Sequence, residues 1–259
     1  PWGMILVTGP TGSGKTTTLY SILNVLNTRE INISTIEDPV EYDIDGINQI
    51  QVNPKTNLTF SDGLRAIVRQ DPDIIMVGEI RDPETASIAI NSAMTGHLVL
   101  STLHTNDAPT SLPRLLDMGI KSFLVASTVN VIIAQRLVRQ ICEKCKYTVS
   151  VAPEVKEIIE KQLSPTLIKK YGLNLPKTIL YYGKGCKACQ NSGYSGRIGI
   201  FEVLMMNEDV KQLVLSKVNA STLKAKAMEA GMLPMIEDGL LKVQQGITTI
   251  DEVLRVTRE

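Results

Sequence analysis

The sequence predicts a layered α/β fold over its first half, then a cysteine-bracketed segment and a helical tail. Three observations carry this prediction. Short apolar runs alternate with segments of helical spacing up to about residue 140. A glycine-rich loop of Gly9, Pro10, Thr11, Gly12, Ser13, Gly14, Lys15 and Thr16 lies between the first apolar run and the first helical segment. All four cysteines stand in two C-x-x-C pairs, Cys142 with Cys145 and Cys186 with Cys189. The expected division is an α/β core over 1–139, a tetracysteine subdomain over 140–200 and a helical subdomain over 201–259.

Residues 4–8 read as the first strand and 17–26 as the helix after the loop. A second strand over 31–36 ends at the acidic cluster Glu37, Asp38 and Glu41. Residues 61–69 read as a helix capped by Ser61, 74–77 as a buried strand and 85–94 as a helix. A strand over 97–102 and a helix over about 122–137 close the unit. Ser127, Thr128 and Asn130 interrupt the apolar run 123–134, so it is read as a core helix. A lysine-rich helical insertion is expected over about 154–170. Beyond Gly199 the chain is expected to turn helical: 222–230 capped by Ser221 and stopped by Gly231, then 235 to Gly246, then a helix from near Thr249.

Composition narrows the function classes. Lys and Arg total 27, as do Asp and Glu, and aromatic residues make up 4% of the chain, so a general nucleic-acid binder is disfavoured. No apolar stretch of about 18 residues exists and no signal peptide is visible. Because the first residue is Pro1, the chain reads as a fragment that begins just before the nucleotide-binding strand.

The loop Gly9–Thr16 is a complete G-x-x-x-x-G-K-[ST] phosphate loop in the strand–loop–helix context that gives it a mechanism. Its glycines let successive N–H groups point into one concavity, and the helix N-terminus adds partial positive charge. Lys15 would reach the β/γ-phosphates and the Thr16 hydroxyl would sit on Mg²⁺, with Thr17 beginning the helix. The motif implies binding of a nucleoside triphosphate.

Four apolar residues over 74–77 deliver Glu79 to a sheet edge, where its carboxylate would hold Mg²⁺ through water or orient the attacking water. A surface glutamate paired with Arg81 is the plainer reading. Three carboxylates near one strand end are costly unless a metal, an arginine or a reacting water lies among them. Glu41 is the favoured general base, although an acidic turn stiffened by Pro39 fits the spacing equally well. The two histidines, His97 and His104, are seven apart, which within one strand places them on opposite faces. His104 falls at the strand end, where it would sense or stabilise a γ-phosphate, and His97 suits a core position.

Two C-x-x-C pairs present four thiolates to one tetrahedral Zn²⁺, a closed and therefore structural site made by Cys142, Cys145, Cys186 and Cys189. The gap between pairs exceeds the usual spacing, but an insertion loops out at modest entropic cost. Arg136, Arg139, Lys144, Lys146, Lys184, Lys187 and Arg197 surround the pairs, against Glu143 alone. Disulfides are the competing reading, disfavoured without a signal peptide.

In this order the motifs resemble the secretion-superfamily ATPases that drive type II secretion and type IV pilus assembly. The matching segments are the phosphate loop, the aspartate box 35–41, the string 71–82 ending Val-Gly-Glu-Ile-Arg-Asp, the histidine box 95–107 and the glycine-rich tail 185–202. The resemblance implies a RecA-like core and a homo-hexamer of the full-length protein with ATP at subunit boundaries. It also implies Glu41 and Glu79 as the hydrolytic carboxylates and His104 near the γ-phosphate. Implied partners are an inner-membrane platform protein and a membrane-associated adaptor, with the ATPase itself cytoplasmic and peripheral to that membrane. Retraction and conjugation motors lack the four-cysteine insert. The Ala-Ile-Arg-Asn-Arg-Glu signature of retraction motors is absent here, so an assembly or extrusion motor is expected. In the family a preceding domain supplies arginines to the γ-phosphate; without it, a fragment is expected to hydrolyse slowly and assemble weakly. A small-molecule phosphotransferase would need an acceptor pocket and lid, for which no signature is found. A zinc module binding nucleic acid under an ATP switch fits the cysteine-flanking charge but not the neutral whole.

Overall fold

A computed structural model of the chain describes residues 2–150, 160–161, 163–173 and 179–257. The chain divides into two units, one of Pro1–Gln135 with Val203–Met232 and one of Arg136–Glu202 with Leu233–Glu259. Neither unit is contiguous in sequence. The unit boundaries at 135/136 and 202/203, like those drawn from sequence at 139/140 and 200/201, fall inside two strands, β6 (Val129–Ile141) and β9 (Tyr194–Met205).

The first unit is built on parallel strands: β1 (Gly3–Thr8), β2 (Ile33–Glu37), β3 (Asn48–Gln51), β4 (Ile74–Val77) and β5 (Leu98–Leu103). The sheet order is β3-β2-β4-β5-β1-β6-β9. β1 runs parallel to β5 with Thr8 opposite Leu103, and β4 to β5 with Val77 opposite Ser101. β2 runs parallel to β4 with Ile36 opposite Val77. Strands buried on both faces read as continuous apolar runs, which is why Ile74, Ile75, Met76 and Val77 are all buried.

Helix α1 (Lys15–Leu26) lays Leu19, Tyr20 and Leu23 on Val7, Ile33, Ile74, Met76, Leu98 and Leu100. Each fully buried aliphatic side chain contributes about 1.5–3 kcal/mol. Other helices of this unit include α2 (Phe60–Val68), α3 (Pro83–Met94), α4 (Ser111–Asp117) and α5 (Ser122–Thr128). The first N–H groups of a helix need acceptors, and side-chain caps supply them. Thr59 rather than Ser61 caps α2, and Asp82 caps α3 with Pro83 in its first turn.

The long helix expected over 122–137 is corrected. It ends at Thr128, and Val129, Val131, Ile132 and Ile133 extend into β6 alongside β1. Crowded β-branched side chains favour the pleated strand over a helical turn. The helical onset beyond Gly199 is also corrected: β9 continues to Met205 before α7 (Glu208–Leu215), which Asn207 caps. Helix α8 (Ala220–Glu229) is capped by Asn219, not Ser221.

The second unit holds a two-stranded sheet, β7 (Lys146–Ser150) antiparallel to β8 (Ile179–Gly183). It also holds α9 (Met235–Gln244) and α10 (Ile250–Thr257). Of the insertion expected to be helical, 154–159 and 162 lie outside the described residues. Of the rest, Pro165–Lys170 form the short helix α6, capped by Ser164. Leu163, Ile168, Leu173, Leu180, Leu240, Val243 and Val253 form this unit's core. No helix among the described residues is long and apolar enough to cross a membrane.

Candidate nucleotide site and cysteine centre

The carboxyl ends of β1, β2, β4 and β5 lie along one sheet edge, since these strands are adjacent and parallel. The phosphate loop follows β1, the acidic segment follows β2, Glu79 follows β4 and His104 follows β5. Parallel α/β sheets bind ligands at that edge. This topology brings the sequence-predicted residues to one rim.

The loop's shape depends on its glycines. Gly9 has φ 149°, and a Cβ there would sit 2.5 Å from the Gln135 carbonyl oxygen and 2.6 Å from Ser13 Oγ. Gly14, at φ 88°, leads into α1 with no side-chain cap. No acidic residue occupies that first turn, which suits an anion at the positive end of the helix dipole. Lys15 Nζ donates to the carbonyls of Gly9 (3.0 Å) and Pro10 (3.1 Å), folding back over the loop. Thr16 and Thr17 stand in the first turn of α1; Pro10, Thr11 and Gly12 are exposed at the loop's crest.

Gln135 was missed by sequence reasoning. Its Nε2 donates to Ser13 O at 2.7 Å, and its Oε1 accepts from Thr18 Oγ1 at 2.8 Å, bracing the loop against its helix. A polar residue closing the apolar run 131–134 was the available signal. Thr8 Oγ1 similarly donates to Leu103 O at 3.0 Å and accepts from Thr105 N–H at 3.0 Å, tying the phosphate loop's strand to the histidine box.

The three carboxylates at the end of β2 differ in burial. Glu37 is the last residue of a wholly buried strand and points inward, while Asp38 and Glu41 are exposed. Glu37 Oε1 accepts from Thr35 Oγ1 (2.6 Å) and Gln49 Nε2 (3.2 Å), and Oε2 accepts from the Tyr20 hydroxyl. Burial and the Glu37 hydrogen bond push the Tyr20 phenol well above its ordinary range. The Glu41 N–H donates to Tyr20 OH at 3.3 Å.

Glu79 is 9% exposed. Its Oε1 lies 2.5 Å from Arg81 and its Oε2 lies 3.2 Å from His104 Nε2, so pairing with arginine and placement at the site coexist. Asp38 lies 3.9 Å from the same arginine. His97 precedes β5 rather than belonging to it, so the opposite-face argument does not apply. Its Nδ1 is within 2.9 Å of Ser92 O, a contact internal to the α3–β5 turn.

In the second unit the register Lys146 opposite Gly183 closes the long gap between cysteine pairs and sets Cys145 beside Lys184, whose N–H donates to Cys145 O at 3.0 Å. Cys142 N–H donates to Gly193 O at 3.0 Å. Sγ separations are 3.9 Å for Cys142–Cys186 and Cys145–Cys189, and 3.7 Å for Cys186–Cys189. Four sulfurs about 2.3 Å from one tetrahedral zinc stand about 3.8 Å apart, so the donor set fits the ion. Burial pushes the Cys145 thiol up to about 12. Burial also opposes ionisation of Cys189, but the N–H groups of Cys186 and Gly193 bring it down to about 6. Part of the positive charge expected to answer the thiolates is engaged elsewhere: Arg139 lies 2.7 Å from Glu252, and Lys146 lies 3.2 Å from Glu143.

Fold and rim together define a phosphate-loop α/β protein. The structure is similar to the crystal structure of the pilus retraction motor PilT with bound ADP, with TM-score 0.71 and 29% identity over all of this chain and 62% of that one. It shares its fold with the Legionella pneumophila ATPase DotB, at TM-score 0.67, 24% identity, and 98% and 60% coverage. In sequence it is similar to the type IV pilus assembly ATPase TfpB of Acinetobacter baylyi, 52% identical over 98% of this chain and 42% of the relative. The type II secretion system ATPase E of Vibrio cholerae is 49% identical over 100% and 49%. Residues 1–255 match the family described as type II/IV secretion system protein, and the chain belongs to that family. It spans less than half the length of these two relatives.

Proposed function

We propose that the chain is the nucleotide-hydrolysing part of a motor ATPase that powers type IV pilus assembly or type II protein secretion at the inner membrane. The row of chemistry along one sheet edge carries this reading: phosphate loop, acidic segment, Glu79 and His104 follow four neighbouring strands. The names of the sequence relatives support the choice of biological system.

Gly9, Pro10, Thr11, Gly12, Ser13, Gly14 and Thr17 would cradle the triphosphate of ATP. Lys15 would leave the Gly9 and Pro10 carbonyls for the β/γ-phosphates. Thr16 would hold Mg²⁺, which when bound neutralises charge on the phosphate oxygens. Exposed Glu41 would take a proton from the attacking water, and Glu79 would orient water between Arg81 and His104. His104 would lie near the γ-phosphate. Cys142, Cys145, Cys186 and Cys189 would hold a structural zinc. The full-length protein would act as a homo-hexamer, peripheral to the inner membrane, on a platform protein and a membrane-associated adaptor.

The test is phosphate release from Mg-ATP by the full-length protein with no acceptor added. Lys15→Ala should reduce release to background. Release that requires an added acceptor would replace this reading with a phosphotransferase.

A further inference from the structure

We propose that Tyr20 is a positioning residue for hydrolysis, coupling the phosphate-loop helix to the acidic segment that carries Glu41. The proposal rests on the hydrolytic reading above and adds a residue outside every sequence motif that supports it.

Tyr20 lies in the second turn of α1, the helix that starts at Lys15. It is fully buried. Its hydroxyl donates to Glu37 Oε2 and accepts from the Glu41 N–H (3.3 Å) and Gln49 Nε2 (3.3 Å). Its ring meets Tyr42 edge-on, with centroids 4.8 Å apart and planes at 83°. One side chain therefore touches the backbone of the proposed base and the ring of the following residue. Gln49 makes the second tether: its Nε2 donates to Tyr42 O at 3.2 Å and its Oε1 accepts from Ile44 N–H at 2.7 Å. Between them, Tyr20 and Gln49 fix the segment 41–44.

A buried tyrosine satisfying a buried acid is the ordinary role for such a group. Three features go beyond it. The hydroxyl accepts from the Glu41 N–H itself, four residues past the end of β2. The donors to Glu37 are all neutral, a tyrosine, a threonine and a glutamine amide, so the network is held by directional hydrogen bonds rather than ionic pairing. Finally, Lys15 and Tyr20 belong to the same helix, so the side chain proposed to meet the phosphates and the one that holds the Glu41 main chain share one rigid element. A ring fixed on that helix ties the position of the phosphate loop to that of the Glu41 main chain. With its phenol held in the protonated form, Tyr20 remains a donor across the working pH range.

Tyr20→Phe in the full-length protein keeps the ring and removes only the hydroxyl. ATP affinity should change little, while kcat falls about 10- to 100-fold, the scale expected when a reacting group is misplaced by about 1 Å. Backbone hydrogen exchange over 38–44 should speed up, and its response to Mg-ATP should be lost. Because Tyr20 acts through Glu41, Tyr20→Phe combined with Glu41→Gln should be no slower than Glu41→Gln alone. Additive losses, or a fall in affinity that parallels kcat, would overturn the proposal by reducing Tyr20 to a packing residue. If Glu41→Gln stops turnover and Tyr20→Phe does not, the Tyr20 role fails and the base assignment stands. If Glu41→Gln leaves turnover intact, the base assignment fails and takes the Tyr20 role with it. Should Tyr20→Phe not yield folded protein, Gln49→Met loosens the same segment and must show the same kcat loss at unchanged affinity; normal kcat there counts against the coupling.

Discussion

Two buried carboxylates, one in each unit, are held in opposite ways. Glu37 in the nucleotide-binding unit and Glu252 in the cysteine-containing unit are each 2% exposed. Glu37 is met by neutral donors, whereas Glu252 takes Arg139 (2.7 Å) and Arg255 (2.8 Å). Glu237 in the same unit follows Glu252, with Lys170 at 2.5 Å and the Tyr171 hydroxyl at 2.6 Å. Neutral donors fill lone pairs without cancelling charge; arginines do both. The difference separates an acid whose arginines tie β6 to α10 from one whose hydrogen bonds run to α1 and β3 at the carboxyl end of the sheet.

The largest effect that would sharpen this contrast is loss of the cysteine centre. Cys186→Ser should remove the metal and lower the melting temperature of the unit around it, since structural zinc contributes on the order of 10 kcal/mol. ATP affinity should persist, because the phosphate loop belongs to the other unit. Elemental analysis with a thermal melt decides it, and unchanged metal content and melting would refute the zinc assignment.

Next in size is the arginine-paired acid. Burial pushes Glu252 up, but hydrogen bonds from Arg255 and Arg139 outweigh it and bring the carboxyl from its ordinary 4.5 to about 2. Its stabilisation is therefore full above about pH 4.5 and drains away as pH falls toward 2. Glu252→Gln should cost about 1.5–3 kcal/mol at neutral pH and flatten that acid limb. Denaturant midpoints compared at pH 6 and about pH 3 would reveal it. Equal acid sensitivity in both proteins would mean that Glu252 carries no linked proton. The smallest effect is local to the first unit: Thr59→Ala removes the cap that accepts from Asp62 N–H and should cost about 1 kcal/mol, read as a shifted denaturant midpoint.

How much was legible in the sequence follows from what each element depends on. β1 and β4 were visible because double-sided burial writes unbroken apolar runs such as Ile74–Val77, and β2 and β5 because they are rich in apolar and β-branched residues despite their serines. The loop and its following helix came from local spacing alone. β6 was misread because the β-branched residues Val129, Val131, Ile132 and Ile133 follow a true helical turn, and only pairing with β1 decides their conformation. Glu37 and Glu41 could not be told apart by spacing, since the direction each side chain takes depends on partners such as Tyr20 and Gln49, 17 and 12 residues from Glu37. Gln135 was hidden for the same reason, at a separation of 122 residues from Ser13.

That separation has a consequence for how the molecule is made. β1 is the earliest strand described, yet its two neighbours are β5 and β6, so Thr8 must wait 95 residues for Leu103. During synthesis, β2 and β4 emerge able to pair with each other while the strand bearing the phosphate loop has nothing beside it. Long-range parallel pairing is slow and leaves apolar surface open to misassembly. The segment most readily recognised in the sequence is thus among the last to acquire its shape on the ribosome, and nascent chains halted before about residue 135 lack the Gln135 brace that completes it.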